Sequence, residues 1–536
     1  MVPWFRLWNL VKRKRTVKPF ATKKDTGETA RRNIPRENGS WHFFGRSCYN
    51  PPSPVRFFDL AVIIAYLALV TWFGARFKEK QTSLKEYFLG GRTAPWWAIA
   101  LSIVSAETST LTIIGTPPLA YAGSYVFLQI VFGYLLARIV ITTLFLPAYF
   151  QGQLFTAYEL MQRRFGPRVR KVTAAIFMVT RSLAEGVRVF AISIVLGIIL
   201  HTSGPASIFV IIAITLFYTF EGGMTAVIWT DVIQMGMYVL GAAVSFFVLL
   251  GGIPGGMNHV IDVAGAAGKF QVFDFHWSWT QPYTIWAGII GGCFLTTASH
   301  GTDQLVVQRL LSAKSQRESR LALLSSWFVI FFQFSLFLTI GILLWVRNNG
   351  RAFPKDQLDR LYPSFVWEAL PIGIAGLVMA AIIAAAMANL SAALNSLASA
   401  TVIDFYQPLT RSRHTAEHYL QVSRWSTVVW GVVLAAIGVV ASHWGSVLES
   451  GLSIASVTLG ILLGVFLLGI LTKRPGENAA ITGVIAGAAL MLFIKLETKI
   501  PFTWWVLIGS SCTFTVGWSA SFVVSERSGQ ERKQTS

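Results

Sequence analysis

Three charged residues share one apolar stretch of this 536-residue chain at a spacing that sets them on one helical face: Arg181, Glu185 and Arg188, at i, i+4 and i+7. An Arg or Asp at the centre of a membrane span costs roughly 2.5–3.5 kcal/mol, so such a set needs partners or a task. Two readings stand. In one, the set is a self-neutralising ladder that locks its helix to a neighbour. That ladder leaves one positive charge over, with Glu107 as the candidate to neutralise it. In the other, one Arg faces a cavity and grips an anion through two parallel N–H···O bonds. Two more apolar stretches carry polar runs at their centres, SAETST (Ser105 to Thr110) and TTASHGTDQ (Thr296 to Gln304). Within them Glu107 is read as a salt-bridge partner of an intramembrane Arg or as a proton carrier. His300, beside Gly301, is read as a structural histidine or as a gate or proton relay. Asp303 and Gln304 read as a cap or loop anchor. Asp231 follows the Gly222-Gly223 turn and falls in the first turns of a helix. There it either complements the helix dipole or takes part in a cation pathway. Arg138, among apolar residues, reads as packing or snorkelling.

These residues need helices in lipid to hold them. The chain is 54% hydrophobic and 13% charged, with a mean hydropathy of +0.55. A soluble domain carries roughly 25% charged residues. Thirteen apolar stretches, each near the 20 residues a span requires, start close to Phe57, Pro95, Tyr125, Val169, Pro205, Ala226, Tyr283, Leu321, Pro371, Leu420, Ser446, Ala479 and Phe502. The two polar runs fall in the second and seventh. Backbone in lipid must be satisfied internally, and matched, Gly-flanked interruptions in two halves point to a transporter with broken helices around a central site.

Basic residues set the expected orientation. Loops on one face, with the C-terminal tail, hold 22 of the 45 Lys and Arg; the opposite loops hold 7. The C-terminus is therefore expected in the cytoplasm, with the chain in the plasma (inner) membrane as a multi-pass protein. The basic segment 1–56, with KRKR at Lys12 to Arg15 and no signal-peptide core, is expected to be a disordered tail. Residues 57–525 form the transmembrane domain, and 526–536 a short cytoplasmic tail. The net charge of +20 divides between the N-terminal tail and the positive-inside bias, so no nucleic-acid partner is expected. Cys48, Cys293 and Cys512 have no metal or disulfide spacing. No GxxxxGK[ST] cradle appears, and no HExxH motif or catalytic carboxylate pair, which disfavours an ATP engine or a membrane enzyme.

The segment Tyr218-Thr219, Gly222-Gly223 and AVIWTD followed by Gln234 resembles the sodium:solute symporter family. SLKEYFLGGR (Ser83 to Arg92), GTDQLVVQRLLSAKS (Gly301 to Ser315) and NLSAALNSLASATVIDFY (Asn389 to Tyr406) resemble further family segments in the same order. The resemblance covers about Phe57 to Val524. It implies an all-α polytopic protein of the leucine-transporter type, with about 13 transmembrane helices. Spans 2–6 and 7–11 would be two inverted five-helix repeats, with the remaining helices peripheral, and alternating access would work around a midplane site.

The resemblance also implies a sodium site: carbonyls of Ser105, Thr108 and Ala385, and hydroxyl positions that fall here on Ala388 and Asn389. The usual Ser/Thr pair is absent, and Asn389 offers an amide oxygen instead. Thr112, Thr296 and Ser299 fall at substrate-facing positions of the sugar-carrying members. None is the amide or aromatic used there, so a sugar is disfavoured and a small carboxylate or amino acid is expected. Sodium is the expected coupling ion, with no organic cofactor. The partners expected are a small solute and membrane lipid, and the chain is expected to work as a monomer. Proton coupling in the same fold is the main alternative. A non-transporting sensor is the weaker one, because the tail after the last span is short.

Overall fold

The computed structural model describes residues 56–75, 92–151, 157–218, 223–410 and 415–523. The tails expected at 1–56 and 526–536 lie outside these residues apart from Arg56, as does most of the 83–92 motif. The described residues are helical and contain no strand beyond one isolated bridge, Ala94 to Ala313. Among the described residues, nine helices are long and apolar enough to cross a bilayer, and one bent pair makes a tenth span. The shorter apolar helices Phe57–Val70 and Gly204–Leu216, with an interrupted segment at 287–311, complete the thirteen positions expected from the sequence.

Helix α1 is Phe57–Ala75. Its buried Asp59 accepts the backbone N–H groups of Gly373 and Gly376 at 2.7 and 2.8 Å, which fastens α1 to a helix more than 300 residues away. The second span is two helices, α2 (Trp96–Glu107) and α3 (Thr110–Ala122), meeting at 66°. Polar residues cause the break. Thr108 leaves the helical region at ψ 76°, and Ser109 is extended. The Ser109 N–H donates to the Glu107 carbonyl and the Thr112 N–H to the Ser109 carbonyl. The amides that a regular helix would direct to the carbonyls of Ser105 and Thr108 are thus diverted. α4 follows at Tyr125–Phe150, with a π-turn at Ile141–Phe145.

Next come the short amphipathic α5 (Ala157–Phe165), then α6 (Pro167–Leu200), α7 (Gly204–Tyr218), α8 (Gly223–Gly251) and α9 (Gly256–Ala266). Pro167 starts α6 without penalty, since the first turn of a helix lacks N–H acceptors in any case. The seventh span begins as a π-turn at Ala287–Gly291, continues as α10 (Gly292–Gly301), breaks at Thr302-Asp303 and resumes as α11 (Gln304–Leu311). Asp303 caps α11 by accepting from the Leu305 N–H at 2.9 Å, which is the role expected from its place after Gly301. α12 (Gln316–Arg347) is capped by Ser315.

A short helix α13 (Leu361–Ala369) precedes α14 (Ile374–Ala400), α15 (Ala416–Ala441), α16 (Val447–Leu471), α17 (Glu477–Glu497) and α18 (Phe502–Val523). Two glycines allow the broken span to sit deep among its neighbours. A Cβ on Gly115 would lie 2.6 Å from the Leu448 Cβ of α16, and one on Gly341 of α12 would collide with the Pro117 carbonyl. Pro117 and Pro118 lie inside α3, and α12 approaches the backbone there.

Candidate functional site

The breaks in the second and seventh spans face one another around a cavity of about 190 Å³. α2 and α3 contribute Glu107, Ser109 and Thr112. α10 and α11 contribute Thr296, Ser299, His300 and Arg309, and α6 contributes Arg181 and Arg188. Asn389 of α14 completes the polar wall, and the apolar wall includes Phe127, Phe334 and Leu448. Nine residues singled out from the sequence therefore meet here: Glu107, Thr112, Arg181, Arg188, Thr296, Ser299, His300, Asp303 and Asn389. Ser105, Thr108, Glu185, Asp231, Ala385 and Ala388 do not line it directly.

Glu107, the last residue of α2, reaches across both breaks. Its Oε2 accepts from Arg138 Nη2 of α4 at 2.7 Å and lies 3.3 Å from His300 Nε2 of α10. Arg138 is fully buried. It also donates to the Ser326 hydroxyl of α12 at 3.1 Å and to its own helix at the Tyr134 carbonyl. This corrects two expectations. Arg138 is not a packing or snorkelling residue but the countercharge of Glu107. Glu107 is therefore already matched and does not neutralise the spare charge of α6. The reason is reach: Arg138 sits one span along, where a buried guanidinium with five donors needs a carboxylate. His300 Nδ1 lies 2.9 Å from the Ser299 hydroxyl, so both ring nitrogens are engaged. Thr108 Oγ1 donates to Gln333 Oε1 of α12 at 2.8 Å, and Thr112 Oγ1 to the Glu107 carbonyl at 3.3 Å.

The ladder of α6 forms as its spacing implies. Arg181 Nη2 is 3.0 Å from Glu185 Oε1, and Arg188 Nη1 bonds the same oxygen. The two Arg differ in setting. Arg181 is buried, whereas the Arg188 side chain is 24% exposed toward the cavity. Arg188 Nε has no hydrogen-bond partner among the described residues. One carboxylate against two guanidinium groups leaves one positive charge on α6, and Asp303 brings a further carboxylate to the same cavity.

Asp231 of α8 holds a different kind of contact. Its Oδ2 accepts from Arg309 Nη2 at 2.8 Å and from the Ser102 hydroxyl at 2.5 Å, and Arg309 Nε donates to Ser102 Oγ at 2.8 Å. Arg309 is 5% exposed. The three residues tie α2, α8 and α11 together on the side of the cavity nearer the basic loops. Sequence reading missed Arg309 because it counts as a loop charge next to Lys314. The signal available was its place one turn inside an amphipathic helix that begins at the Asp303 cap.

At the opposite end, Asp359 in the loop before α13 is buried and accepts the Val447 N–H at 3.0 Å. It caps α16, which carries Leu448 and Gly451 into the cavity wall. Burial pushes the Asp359 carboxyl up to about 6, against a smaller lowering by the Val447 N–H; the nearby Glu449 charge adds to the rise. Among the described residues, no group of three or more His, Cys, Asp or Glu is placed to hold a metal ion.

A model of the sodium:solute symporter family matches residues 87–487. The sodium/sialic acid symporter of Proteus mirabilis is 30% identical over 476 residues, 86% of this chain and 94% of that protein. The human sodium-coupled monocarboxylate transporter 1 is 29% identical over 428 residues, 78% of this chain and 70% of that one. Among solved structures, a substrate-bound, outward-open Na⁺-coupled sialic acid symporter superposes with a TM-score of 0.75 at 28% identity, covering 88% of this chain and 98% of its own. Mhp1, a nucleobase-cation-symport-1 transporter, superposes at 0.54 and 13% identity over 83% of this chain and 97% of its own, a likeness of fold alone. The broken second and seventh spans, the charged cavity between them and the match over most of the chain agree: this protein belongs to the sodium:solute symporter family.

Proposed function

We propose that this sodium-coupled solute symporter carries a small organic anion, bound through a carboxylate, by alternating access in a leucine-transporter-type fold. Arg188 is the observation that carries the reading. Its side chain lines the cavity and is a quarter exposed, whereas Arg181 is buried, and the two share the single carboxylate of Glu185. A planar fork of donors matches a carboxylate in two parallel bonds. Thr112, Thr296, Ser299 and Asn389 supply neutral hydrogen-bonding groups around the remainder of the ligand. The relatives carry sialic acid and monocarboxylates by name, and both classes bear a carboxylate.

For sodium, the proposed ligands are the carbonyls of Ser105, Thr108 and Ala385 and the amide oxygen of Asn389, with Ala388 at the second hydroxyl position. The diverted amides of Ser109 and Thr112 support the first two, because a carbonyl without its helical donor keeps lone pairs for a hard cation. No organic cofactor enters this reading. The bias of basic residues supports a cytoplasmic C-terminus in the plasma membrane. A working monomer with membrane lipid around it belongs to the same reading.

A thermal-shift screen of purified protein tests this. Monocarboxylates, amino acids, sugars and vitamins are added in Na⁺ or K⁺ at fixed pH. Stabilisation by carboxylates that requires Na⁺ is expected. Stabilisation by neutral or cationic solutes alone would overturn the anion. Equal uptake in Na⁺ and K⁺, with a strong response to a pH gradient, would replace sodium with protons as the coupling ion.

A further inference from the structure

The segment between α9 and the seventh span runs Phe270, Gln271, Val272, Phe273, Asp274, Phe275, His276, Trp277, Ser278, Trp279 without helix or ladder. The odd-numbered positions 273 to 279 are all aromatic. They are open: Phe275, Trp277 and Trp279 are 68%, 56% and 48% exposed. The positions between them are polar, Asp274, His276 and Ser278. The His276 side chain is 90% exposed and bonds Asp274 Oδ1 at 2.7 Å.

The position of this strap along the spans is fixed by its contacts. Phe270 stacks on Tyr125, at the start of α4, with ring centroids 6.1 Å apart. Phe273 stacks on Phe132 at 5.7 Å. Phe132 lies seven residues further into α4, about 10 Å along its axis at 1.5 Å per residue. The strap thus descends beside the span. The spans also expose apolar side chains, Leu136 of α4 and Phe328 and Phe332 of α12, and Trp286 at the head of the seventh span meets Trp277 at 5.8 Å.

Backbone taken to such depth must have its polar groups met inside the protein, and here several are. The Asp274 N–H donates to Oε1 of the buried Gln129 at 3.0 Å, the Asp274 carbonyl accepts from the Ile285 N–H at 2.7 Å, and the Phe275 carbonyl accepts from Trp286 Nε1. A loop designed for water has no need of a buried glutamine beneath it.

We propose that residues 270–279 are a lipid anchor: the exposed aromatic side chains lie in the headgroup–acyl boundary of the leaflet opposite the basic loops, and the His276 side chain faces water. Trp and Tyr favour that boundary because one end of each ring system is apolar and the other can hydrogen-bond. Trp277 and Trp279 also meet Trp504 at the head of α18, at 5.8 and 4.9 Å. The anchor therefore bridges the starts of the seventh and last spans and holds the helix that carries His300 to the bilayer. This inference does not depend on which solute is carried.

The test uses full-length protein with Cys48, Cys293 and Cys512 replaced by Ser, reconstituted in phosphatidylcholine–phosphatidylglycerol vesicles. A nitroxide is attached in turn at Phe275→Cys, His276→Cys, Trp277→Cys and Ser278→Cys. Collision with oxygen, which concentrates in lipid, is expected to exceed collision with a water-soluble nickel chelate at 275 and 277, with the reverse at 276 and low collision with both at the half-buried 278. Nickel dominating at 275 and 277 as well would overturn the anchor and leave a surface loop. Spin–spin broadening that grows as the lipid-to-protein ratio falls would assign the aromatic side chains to a second copy instead. Should a cysteine at 277 prevent folding, quenching by bromolipid supplies the readout. The double variant Trp277→Phe/Trp279→Phe should lose part of the quenchable tryptophan emission, and unchanged quenching would equally refute the proposal.

Discussion

Replacing Arg188 with Gln separates the two tasks that the charges of α6 combine. In the native protein Glu185 serves two guanidinium groups through one oxygen, with Arg181 at 3.0 Å. Removing Arg188 leaves Arg181 and Glu185 as a matched pair, so folding should be spared and the melting temperature little changed. The anion, however, loses its fork. Truncating one partner of a buried, hydrogen-bonded charge pair costs about 2–5 kcal/mol. Arg188 is a quarter exposed, which places the loss near the lower end, about 2–3 kcal/mol. At 1.4 kcal/mol per decade that is roughly a 30- to 150-fold rise in the half-saturating concentration. Sodium-driven uptake of a labelled carboxylate into proteoliposomes measures it, alongside melting of the same preparation. Arg188→Lys keeps the charge without the planar fork and should recover only part of the affinity. Arg181→Gln should behave oppositely. It strips a buried partner from a carboxylate whose Oε2 already lacks one, at a cost of up to about 3–5 kcal/mol, so melting and expression fall. An unchanged half-saturation in Arg188→Gln would sink the clamp, as would a neutral substrate. Equal loss of melting temperature in both variants would reduce the set to a structural ladder.

Other residues make separate predictions. Asn389→Ala should raise the Na⁺ concentration for half-maximal uptake, and an unaltered sodium response would remove Asn389 from the proposed ion site. Asp231→Asn should weaken the tie between α8, α2 and α11. Arg309 then keeps only neutral acceptors, so a cysteine placed on the basic-loop side of the cavity should react faster with a water-soluble maleimide. Wild-type labelling and wild-type transport together would make Asp231 a helix-end charge and nothing more. Asp359 carries a sign that can be read against pH. Its carboxyl is raised in the folded protein from 3.8 to about 6, so the stability it contributes is complete below about pH 4 and lost as pH rises through 6. Two units amount to on the order of 3 kcal/mol. Asp359→Asn keeps an acceptor for the Val447 N–H and should melt higher than wild type at pH 7.5, with the difference closing toward pH 4.5. A difference that is constant with pH would refute the assignment.

What could be read from the residues was whatever local spacing determines. The ladder of α6 follows from an i, i+4, i+7 pattern, and the break in the second span follows from a polar run that cannot be satisfied as an apolar helix. The same holds for Asp303, whose place just past Gly301 marks a cap. Partners set by the crossing of spans were not legible. Nothing near Arg138 in the sequence indicates that Glu107, 31 residues earlier, comes within 2.7 Å of it. Arg309 looked like a loop charge until α11 turned it inward onto Asp231. The fold itself came from the order of family segments, which periodicity alone does not supply.

The pairing of Glu107 with Arg138 changes what the cavity can hold. Two buried pairs, Glu107 with Arg138 and Asp231 with Arg309, are internally matched. The third set, two Arg against one Glu, is not. Asp303 lines the same cavity, so the surplus is local to α6, and it is there, at Arg188, that a carboxylate would be met. The sodium site proposed above needs no carboxylate, because the break diverts the amides that would otherwise bond the carbonyls of Ser105 and Thr108. The same break places Glu107 against His300, so the two broken spans touch through one carboxylate. Any movement that separates α2 from α10 must part that contact or carry both residues together. The polar run that made the second span visible in the sequence thus has two consequences at once: it diverts the amides from the Ser105 and Thr108 carbonyls, and it joins the two broken spans through Glu107 and His300.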